Sequence, residues 1–131
     1  MAAKEYKIFS LEDDVTIQGI LKGFLTRYMK DNQCVFKLSM FSDPVQGLFE
    51  LTSNGNQYKV IFMDVHMPML TGDEIYESLR HVNPDLLGRI LFVTGFADDV
   101  ASRFPNIELN VLHKPFKYDD FTTKLNFLLR D

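Results

Sequence analysis

Short runs of apolar residues alternate along the chain with longer stretches in which apolar residues recur every three or four positions. The short runs are typical of β-strands, and the longer periodic stretches are typical of amphipathic helices. The predicted strands span residues 6–11, 35–41, 59–64, 89–94 and 107–113. The predicted helices span residues 15–29, 44–54, about 72–83, 98–104 and 118–129. The pattern is therefore a strand followed by a helix, repeated five times.

Five such units in a row predict an α/β fold in which a parallel sheet is covered by helices on both faces. The third and fourth predicted strands are continuously apolar, as expected for strands buried on both faces, whereas the second and fifth alternate with polar residues, as expected at sheet edges. This assignment matches the flavodoxin-like, doubly wound strand order 2-1-3-4-5. In that order, strands one and three are neighbours, and ligands bind beyond their carboxyl ends.

Composition narrows the class of protein without identifying a chemistry. A chain of 131 residues, 46% hydrophobic and 24% charged, is typical of one globular domain spanning residues 1–131. The net charge of −4 argues against direct binding to nucleic acid, which needs a basic face. The sequence has no apolar stretch long enough to span a membrane, no signal-peptide pattern, and a single cysteine, Cys34. We therefore expect a cytoplasmic domain that contacts neither nucleic acid nor membrane.

Polar side chains follow four of the predicted strands at the points where the strands end. Glu12-Asp13-Asp14 follows the first strand, Asp64 ends the third, and Thr94 ends the fourth. Lys114 follows the fifth. Because carboxylates in one crevice repel each other, the sequence favours a hard divalent cation such as Mg²⁺, which takes oxygen ligands. A carboxylate nucleophile, a metal site, a hydroxyl and a lysine together indicate phosphoryl transfer, with Asp64 as the nucleophile.

These residues belong to four short motifs that are shared with a known family. The motifs are Glu12-Asp13-Asp14, Met63-Asp64-Val65-His66-Met67-Pro68 with Gly72, Thr94-Gly95, and Lys114-Pro115-Phe116. By these motifs the chain resembles the receiver domain of bacterial two-component response regulators, in particular chemotaxis regulators, over nearly its whole length. The resemblance implies a phosphorylation-activated signalling switch that catalyses its own phosphorylation and slow dephosphorylation, and not a turnover enzyme.

The resemblance implies a Mg²⁺ site around the acidic residues. Asp13 is expected to ligate the ion directly, and Glu12 is expected to act through a water molecule. Asp64 and the backbone carbonyl of His66 would complete the ligands from the protein. Asp14 is the exception among these acids, because a carboxylate at this position is expected to cap the first helix by accepting hydrogen bonds from backbone N–H groups.

Phosphorylation is expected at Asp64, which by resemblance takes a phosphoryl group from the phosphohistidine of a histidine kinase or of a phosphotransfer protein. Thr94 would bond a phosphoryl oxygen and change position, and Lys114 would pair with the phosphoryl group. The Lys114–Pro115 peptide bond is expected to be cis. The change would reach a downstream effector through the face formed by the predicted helix 98–104, the fifth strand and the last helix, a face through which family members also form homodimers.

One position departs from the residue that the family commonly carries, and another bears on the rate of dephosphorylation. Family members commonly have Tyr or Phe three residues before the lysine, where this chain has Val111. Signalling would then run through backbone shifts of the short fourth helix and the fifth strand. Phe96 lies two residues beyond Thr94. Its bulk would shield an acyl phosphate from water, so slow autodephosphorylation is expected.

Two other classes of function stay open at this point. One is a hydrolase with an aspartyl nucleophile, although such families usually place an Asp-x-Asp pair after the first strand. The other is a degenerate receiver that acts only as a binding surface, although Asp13, Asp64, Thr94 and Lys114 are all present. The sequence names neither the kinase nor the effector, and it does not distinguish a free-standing receiver from a piece of a larger regulator.

Overall fold

The strands and helices follow the predicted alternation. The computed structural model of the chain describes residues 4–65, 67, 72–95 and 110–130. Its strands are β1 (Lys4–Leu11), β2 (Cys34–Phe41), β3 (Tyr58–Asp64), β4 (Ile90–Thr94) and β5 (Asn110–His113). Its α-helices are α1 (Val15–Asn32), α2 (Pro44–Asn54), α3 (Gly72–Val82) and a C-terminal helix (Tyr118–Leu128). Short 3₁₀ turns cover Gly55–Gln57 and Pro84–Arg89.

All five strands are parallel and lie in the order β2-β1-β3-β4-β5, which is the order predicted from the sequence. The chain therefore has the flavodoxin-like, doubly wound α/β fold. The register pairs Leu11 of β1 with Met63 of β3, and Thr94 of β4 with His113 of β5. These strands consequently finish at the same edge of the sheet, and the residues that follow them become neighbours.

Hydrophobic residues fill both faces of the sheet because strand side chains alternate between the faces. One core cluster joins Phe9 and Met63 to residues of α2 and α3. The other joins Ile8 and Phe62 to residues of α1 and the C-terminal helix. In the second cluster, Phe62 stacks on Phe121 with ring centroids 5.8 Å apart. β3 and β4 are buried along almost their whole length, as their continuous apolar runs predicted.

Local sequence signals set where the first two helices begin and end. Asp14 caps α1, and its side chain accepts hydrogen bonds from backbone N–H groups of the first turn. Asp43 caps α2 in the same way, with Pro44 at the first helical position. α1 ends at Asn32 and not at residue 29 as predicted, because the chain leaves the helix only at Gln33, which is left-handed with φ 52°.

The other boundaries agree with the predicted ones to within a few residues wherever the structure describes the chain. The predicted helix 98–104 and the start of the predicted fifth strand, 107–109, lie outside the described residues. Within the described ranges, none of the helices has the length and apolar character that a membrane crossing requires. The fold therefore brings the four strand ends together, and the site is built there.

Candidate functional site

Four of the predicted site residues meet at the carboxyl edge of the sheet. Glu12 follows β1, Asp64 ends β3, Thr94 ends β4, and Lys114 follows β5. The first three are buried: Glu12 is 2% exposed, Asp64 is 4% exposed and Thr94 is 0% exposed. The Lys114 side chain is 22% exposed. Burying polar groups costs free energy unless they are paired, so the partners of these side chains decide what the site can do.

The acidic side chains of Glu12, Asp13 and Asp64 form one cluster. Each offers a carboxylate oxygen that lies within 4.8 Å of the oxygens offered by the other two. Glu12 and Asp64 are buried, whereas Asp13 is exposed, so the cluster reaches solvent on the side of Asp13. Three carboxylates this close disfavour one another's charged forms.

Lys114 is the basic partner of the acidic cluster. Its Nζ atom lies 3.1 Å from Oε1 of Glu12 and 3.7 Å from Oδ1 of Asp64. Its backbone N–H donates to the carbonyl oxygen of Thr94 at 2.7 Å, which ties the end of β5 to the end of β4. The Lys114–Pro115 peptide bond is cis, as predicted. The structure thus brings this lysine to two carboxylates that are distant from it along the chain.

Among the described residues, three carboxylates of the acidic cluster face one ammonium group, that of Lys114. The pKa of Glu12 is raised to about 8, chiefly because burial removes water from its carboxyl group and then because Asp64 lies beside it. Hydrogen bonds from the backbone of Asp14 and from Lys114 act in the opposite direction and are outweighed. In the absence of a metal ion, Glu12 therefore tends to hold its proton at neutral pH.

Three hydrogen bonds, made with the end of β2 and with the start of α1, hold the loop that carries Glu12 and Asp13. The backbone N–H of Glu12 donates to the carbonyl oxygen of Phe41, at the end of β2, at 3.0 Å. The side-chain amide of Gln18 donates to the carbonyl oxygen of Glu12 at 2.6 Å. The backbone N–H of Asp14, the cap of α1, donates to Oε2 of Glu12 at 3.2 Å. The position of the acidic loop is thereby defined from β2 and from α1.

Gln18 is the site residue that sequence reasoning missed. It lies at the start of α1, it is half-buried, and its amide reaches back to the loop before the helix. A sequence signal for it exists: a long amide side chain one helical turn after the cap residue Asp14 can reach the strand end from which the helix departs. That signal is weak, because an amide at such a position is usually solvated.

Two predicted positions, His66 and Phe96, lie outside the described residues. Val111, which stands where the family commonly has an aromatic residue, is half-buried and packs against the core cluster that contains Phe92 and Tyr76. The rings of Phe92 and Tyr76 contact each other with centroids 6.0 Å apart. The side chain at position 111 therefore contributes to the hydrophobic core.

The donors of the acidic cluster suit a hard divalent cation. Mg²⁺ takes oxygen ligands and is usually held by one or two carboxylates together with several waters. Asp13 is exposed and leaves an approach from solvent, and a cation bound there would favour the charged form of Glu12, whose pKa is raised by burial and by neighbouring Asp64. The residues present therefore fit Mg²⁺.

Comparison with protein families gives a match over most of the chain. The family model of the response regulator receiver domain matches residues 8–126. An uncharacterized response regulatory protein of Shewanella oneidensis is 30% identical over 90 residues, which make up 69% of this chain and 36% of that protein. The chain thus spans little more than a third of the length of this curated relative.

Solved structures share the fold at lower sequence identity. A receiver domain protein of Clostridium thermocellum has a TM-score of 0.76 at 23% identity, with 95% of this chain and 94% of that chain covered. The receiver domain of the sensor histidine kinase PA1611 of Pseudomonas aeruginosa has a TM-score of 0.77 at 19% identity, with 95% and 97% covered. That structure has a magnesium ion coordinated in its active-site cleft. The chemotaxis protein CheY4 of Vibrio cholerae has a TM-score of 0.73 at 20% identity, with 95% and 99% covered.

The family match runs from within β1 to within the C-terminal helix and includes the whole of β2 to β5. The strand order and the buried acidic cluster at the carboxyl edge agree with it. Receiver domains are phosphoacceptor signalling domains and not metabolic enzymes. The chain belongs to the family of response regulator receiver domains of two-component systems.

Proposed function

We propose that this chain is a phosphorylation-activated switch in which Asp64 is the phosphoacceptor. One observation carries the proposal, namely the convergence of side chains on Asp64. Oxygens of Glu12 and Asp13 lie within 4.8 Å of it, the ammonium of Lys114 lies 3.7 Å away, and buried Thr94 ends the neighbouring strand. A nucleophile, groups that neutralise charge, and a hydroxyl donor are the parts that phosphoryl transfer uses.

The carboxylate of Asp64 attacks the phosphorus atom of a phosphohistidine on a histidine kinase or phosphotransfer protein. An O–P bond forms on Asp64 while the P–N bond breaks, and the histidine nitrogen keeps the electron pair of the broken bond and takes up a proton. Asp64 needs no general base for this step, because an ionised carboxylate is already a nucleophile. Lys114 is close enough to balance negative charge on the transferring group.

Mg²⁺ is the cofactor of this proposal. Asp13 and Asp64 would ligate it directly, Glu12 would act through a water molecule, and the backbone carbonyl of His66 would be a further ligand. When bound, the ion neutralises charge on the phosphoryl oxygens and on the carboxylates. The charge of the ion would favour the ionised form of Glu12, whose pKa is about 8 in the metal-free protein, so binding at neutral pH would be accompanied by proton release.

Phosphorylation shifts the chain between two conformations in this proposal. The phosphoryl group adds up to about two negative charges, which favour the state in which the hydroxyl of Thr94 donates to a phosphoryl oxygen. A change from mostly inactive to mostly active needs about 5.5 kcal/mol of differential stabilisation. The hydrogen bond between Lys114 and the carbonyl oxygen of Thr94 supports a backbone route from the site into β5. That route would reach an effector, or a second copy of the chain, through β5 and the C-terminal helix.

A small phosphodonor tests this function against the two alternatives. The full chain is incubated with acetyl phosphate and Mg²⁺, and its intact mass is measured alongside free phosphate. A switch gains one phosphoryl group per chain, which persists long enough to be isolated because autodephosphorylation is slow. A hydrolase releases phosphate over many turnovers without a lasting gain in mass, and a degenerate receiver gains nothing.

Asp64→Asn is the variant that tests the assignment of the nucleophile. It should gain no phosphoryl group, while circular dichroism should report an unchanged fold, since Asn has nearly the same shape as Asp. Asp14→Asn is the matched control, because Asp14 caps α1 and Asn also caps helices. Labelling of Asp64→Asn to the extent of the parent chain would overturn the proposal.

A further inference from the structure

A cavity opens at the amino edge of the sheet, away from Asp64. It has a volume of about 410 Å³ and lies where β3 and β4 begin and where the C-terminal helix ends. The residues of its lining that matter here are Asn56, Gln57, Lys59, Gly88, Arg89 and Arg130. The length of β3 separates this cavity from the acidic cluster by roughly 15–20 Å, at about 3.3 Å per residue.

The charged side chains among the described residues that line this cavity are all cationic. Lys59, Arg89 and Arg130 line it, and among the described residues that line it none carries a carboxylate. Lys7 lies beside it and donates to the side-chain oxygen of Gln57 at 2.8 Å. The whole chain has a net charge of −4, so these cations are not part of a generally basic surface.

Hydrogen bonds from one nitrogen hold the guanidinium of Arg89 in place, and its other nitrogens keep N–H donors available for a ligand. Its Nη1 atom donates to the carbonyl oxygens of Asn56 at 3.0 Å and of Tyr58 at 2.9 Å. In the part of the chain that the structure describes, its Nε and Nη2 atoms have no acceptor. Donors on neighbouring nitrogens of a guanidinium match two oxygens of one phosphate group. The fixed guanidinium is therefore ready for a bidentate anion contact.

Gly88 keeps one side of the cavity open. A Cβ atom at this position would meet no heavy atom within 4 Å, so the space beside it is free of described protein atoms. The volume of the cavity lies within the range of roughly 300–1,000 Å³ that is usual for small-molecule sites. A lining with three cationic side chains suits a polar ligand with several negative charges.

We propose that this cavity binds a small molecule that carries two or more phosphate groups. Arg89 and Arg130 offer planar forks for phosphate oxygens, and Lys7 adds a point charge beside them. Lys59 donates to the carbonyl oxygen of Arg130 at 3.3 Å and adds its charge to the lining. A polyphosphate brings several charges and many acceptor oxygens into a small volume, which a single carboxylate does not. The proposal is independent of phosphorylation at Asp64, because it uses the opposite edge of the sheet.

Titration with pyrophosphate in metal-free buffer tests this site in the full chain. Saturable changes in backbone amide NMR signals are expected around Asn56, Lys59 and Arg89, while the signals of Gly95 and Lys114 stay in place. Sodium chloride at the same ionic strength is the reference. Changes that the salt reproduces, or changes centred on Lys114, would overturn the proposal.

Two glycine substitutions distinguish a local effect on pyrophosphate binding from an effect of the net charge of the chain. Gly88→Glu puts a carboxylate into the open space of the cavity and should weaken pyrophosphate binding by about tenfold or more, the effect of losing one charge-assisted contact. Gly23→Glu adds the same charge on α1, where a Cβ likewise meets nothing within 4 Å, and should leave binding within about twofold. Equal weakening by both variants, or none by Gly88→Glu, would contradict the proposal.

Arg130→Gln gives an independent readout. Arg130 is exposed and follows the C-terminal helix, so the fold should persist, and loss of one cation should weaken pyrophosphate binding several-fold. Arg27→Gln removes an equal charge elsewhere, from a residue paired with Asp31 on α1. Unchanged binding in Arg130→Gln together with weaker binding in Arg27→Gln would mean that pyrophosphate binds to another surface, and would contradict the proposal.

Discussion

The acidic cluster and the cationic cavity lie at opposite edges of the sheet, and the described residues bury charge at the acidic cluster. At the carboxyl edge, Glu12 and Asp64 are 2% and 4% exposed and lie close to Asp13. At the amino edge, Arg89 and Arg130 line an open cavity. In a doubly wound fold, helices begin at the carboxyl edge and end at the amino edge, so their dipoles favour acids at the first and cations at the second. The fold therefore favours the sign of charge seen at each of the two sites, and the burial of Glu12 and Asp64 distinguishes the candidate site from the open cavity.

Asp13→Ala should have the largest effect at the carboxyl edge, because it removes the exposed ligand of the acidic cluster. Losing one charge-assisted ligand costs about 1.5–3 kcal/mol, so the Mg²⁺ dissociation constant should rise by roughly 10- to 100-fold in a calorimetric titration. Asp14→Asn, at the cap of α1, should leave the affinity unchanged. An unaltered Mg²⁺ affinity in Asp13→Ala would mean that Mg²⁺ does not bind at this cluster.

Lys114→Met tests whether one cation holds the buried acids together. In metal-free buffer at neutral pH, the free energy of unfolding should fall by about 1–3 kcal/mol, because Glu12 and Asp64 lose a partner at 3.1 and 3.7 Å. Urea denaturation gives the value. Lys30→Met, at an exposed lysine in the last turn of α1, is the comparison. A similar loss in both variants would mean that the contacts of Lys114 add nothing beyond surface charge.

The pH dependence of stability should report the buried carboxyl group of Glu12. Its pKa is about 8 in the folded protein against an ordinary value of 4.5, so the folded state holds this proton more tightly than the unfolded state. The contribution of Glu12 to stability is therefore greatest below pH 4.5 and is lost as the pH rises to about 8. Without metal, the loss should be on the order of a few kcal/mol, and at most about 5 kcal/mol, which is the difference between the two pKa values at about 1.4 kcal/mol per unit.

Glu12→Gln checks that prediction directly. A neutral amide of similar shape does not titrate, so thermal unfolding of this variant in metal-free buffer should depend less on pH between 4.5 and 8 than unfolding of the parent chain. Saturating Mg²⁺ should reduce the difference, because it favours the charged form of Glu12. Parallel profiles for the two proteins would show that another group causes the pH dependence.

Gln18→Met should have the smallest effect, and it tests what the hydrogen bond of Gln18 contributes to the acidic loop. The substitution removes the hydrogen bond to the carbonyl oxygen of Glu12 and keeps much of the side-chain volume. A neutral hydrogen bond contributes about 0.5–1.5 kcal/mol, so stability should fall by that amount and Mg²⁺ affinity a few-fold. Gln46→Met, at an exposed glutamine of α2, should change neither. Equal Mg²⁺ affinities would limit Gln18 to a structural role.

Much of the fold could be predicted from the sequence because its signals are local. The helix starts at Asp14 and Asp43 follow from cap chemistry, which acts within one turn. The strand order could be predicted because continuous and alternating apolar runs distinguish central from edge strands. The end of α1 was missed by three residues, since no glycine or proline marks it and Gln33 takes up the left-handed conformation.

The placement of four candidate site residues at one edge of the sheet could be predicted for a similar reason, whereas their energetics could not. Parallel strands that end together bring Glu12, Asp64, Thr94 and Lys114 to one edge whatever their exact packing. The raised pKa of Glu12 depends instead on how much water burial removes and on its distance from Asp64. The contact of Gln18 with the acidic loop depends on how α1 leaves the strand end. Neither quantity has a local signal.

The sequence by itself determined the elements, their order, and which residues follow which strand, because hydrophobic period and turn chemistry act over a few neighbouring positions. Only the tertiary structure decided that Glu12 is buried while adjacent Asp13 is exposed, and that one lysine reaches both Glu12 and Asp64. Only the tertiary structure brought Lys59, Arg89 and Arg130 around one cavity. The physical reason is that burial and charge spacing are set by the packing of segments far apart in the chain, which no local pattern encodes.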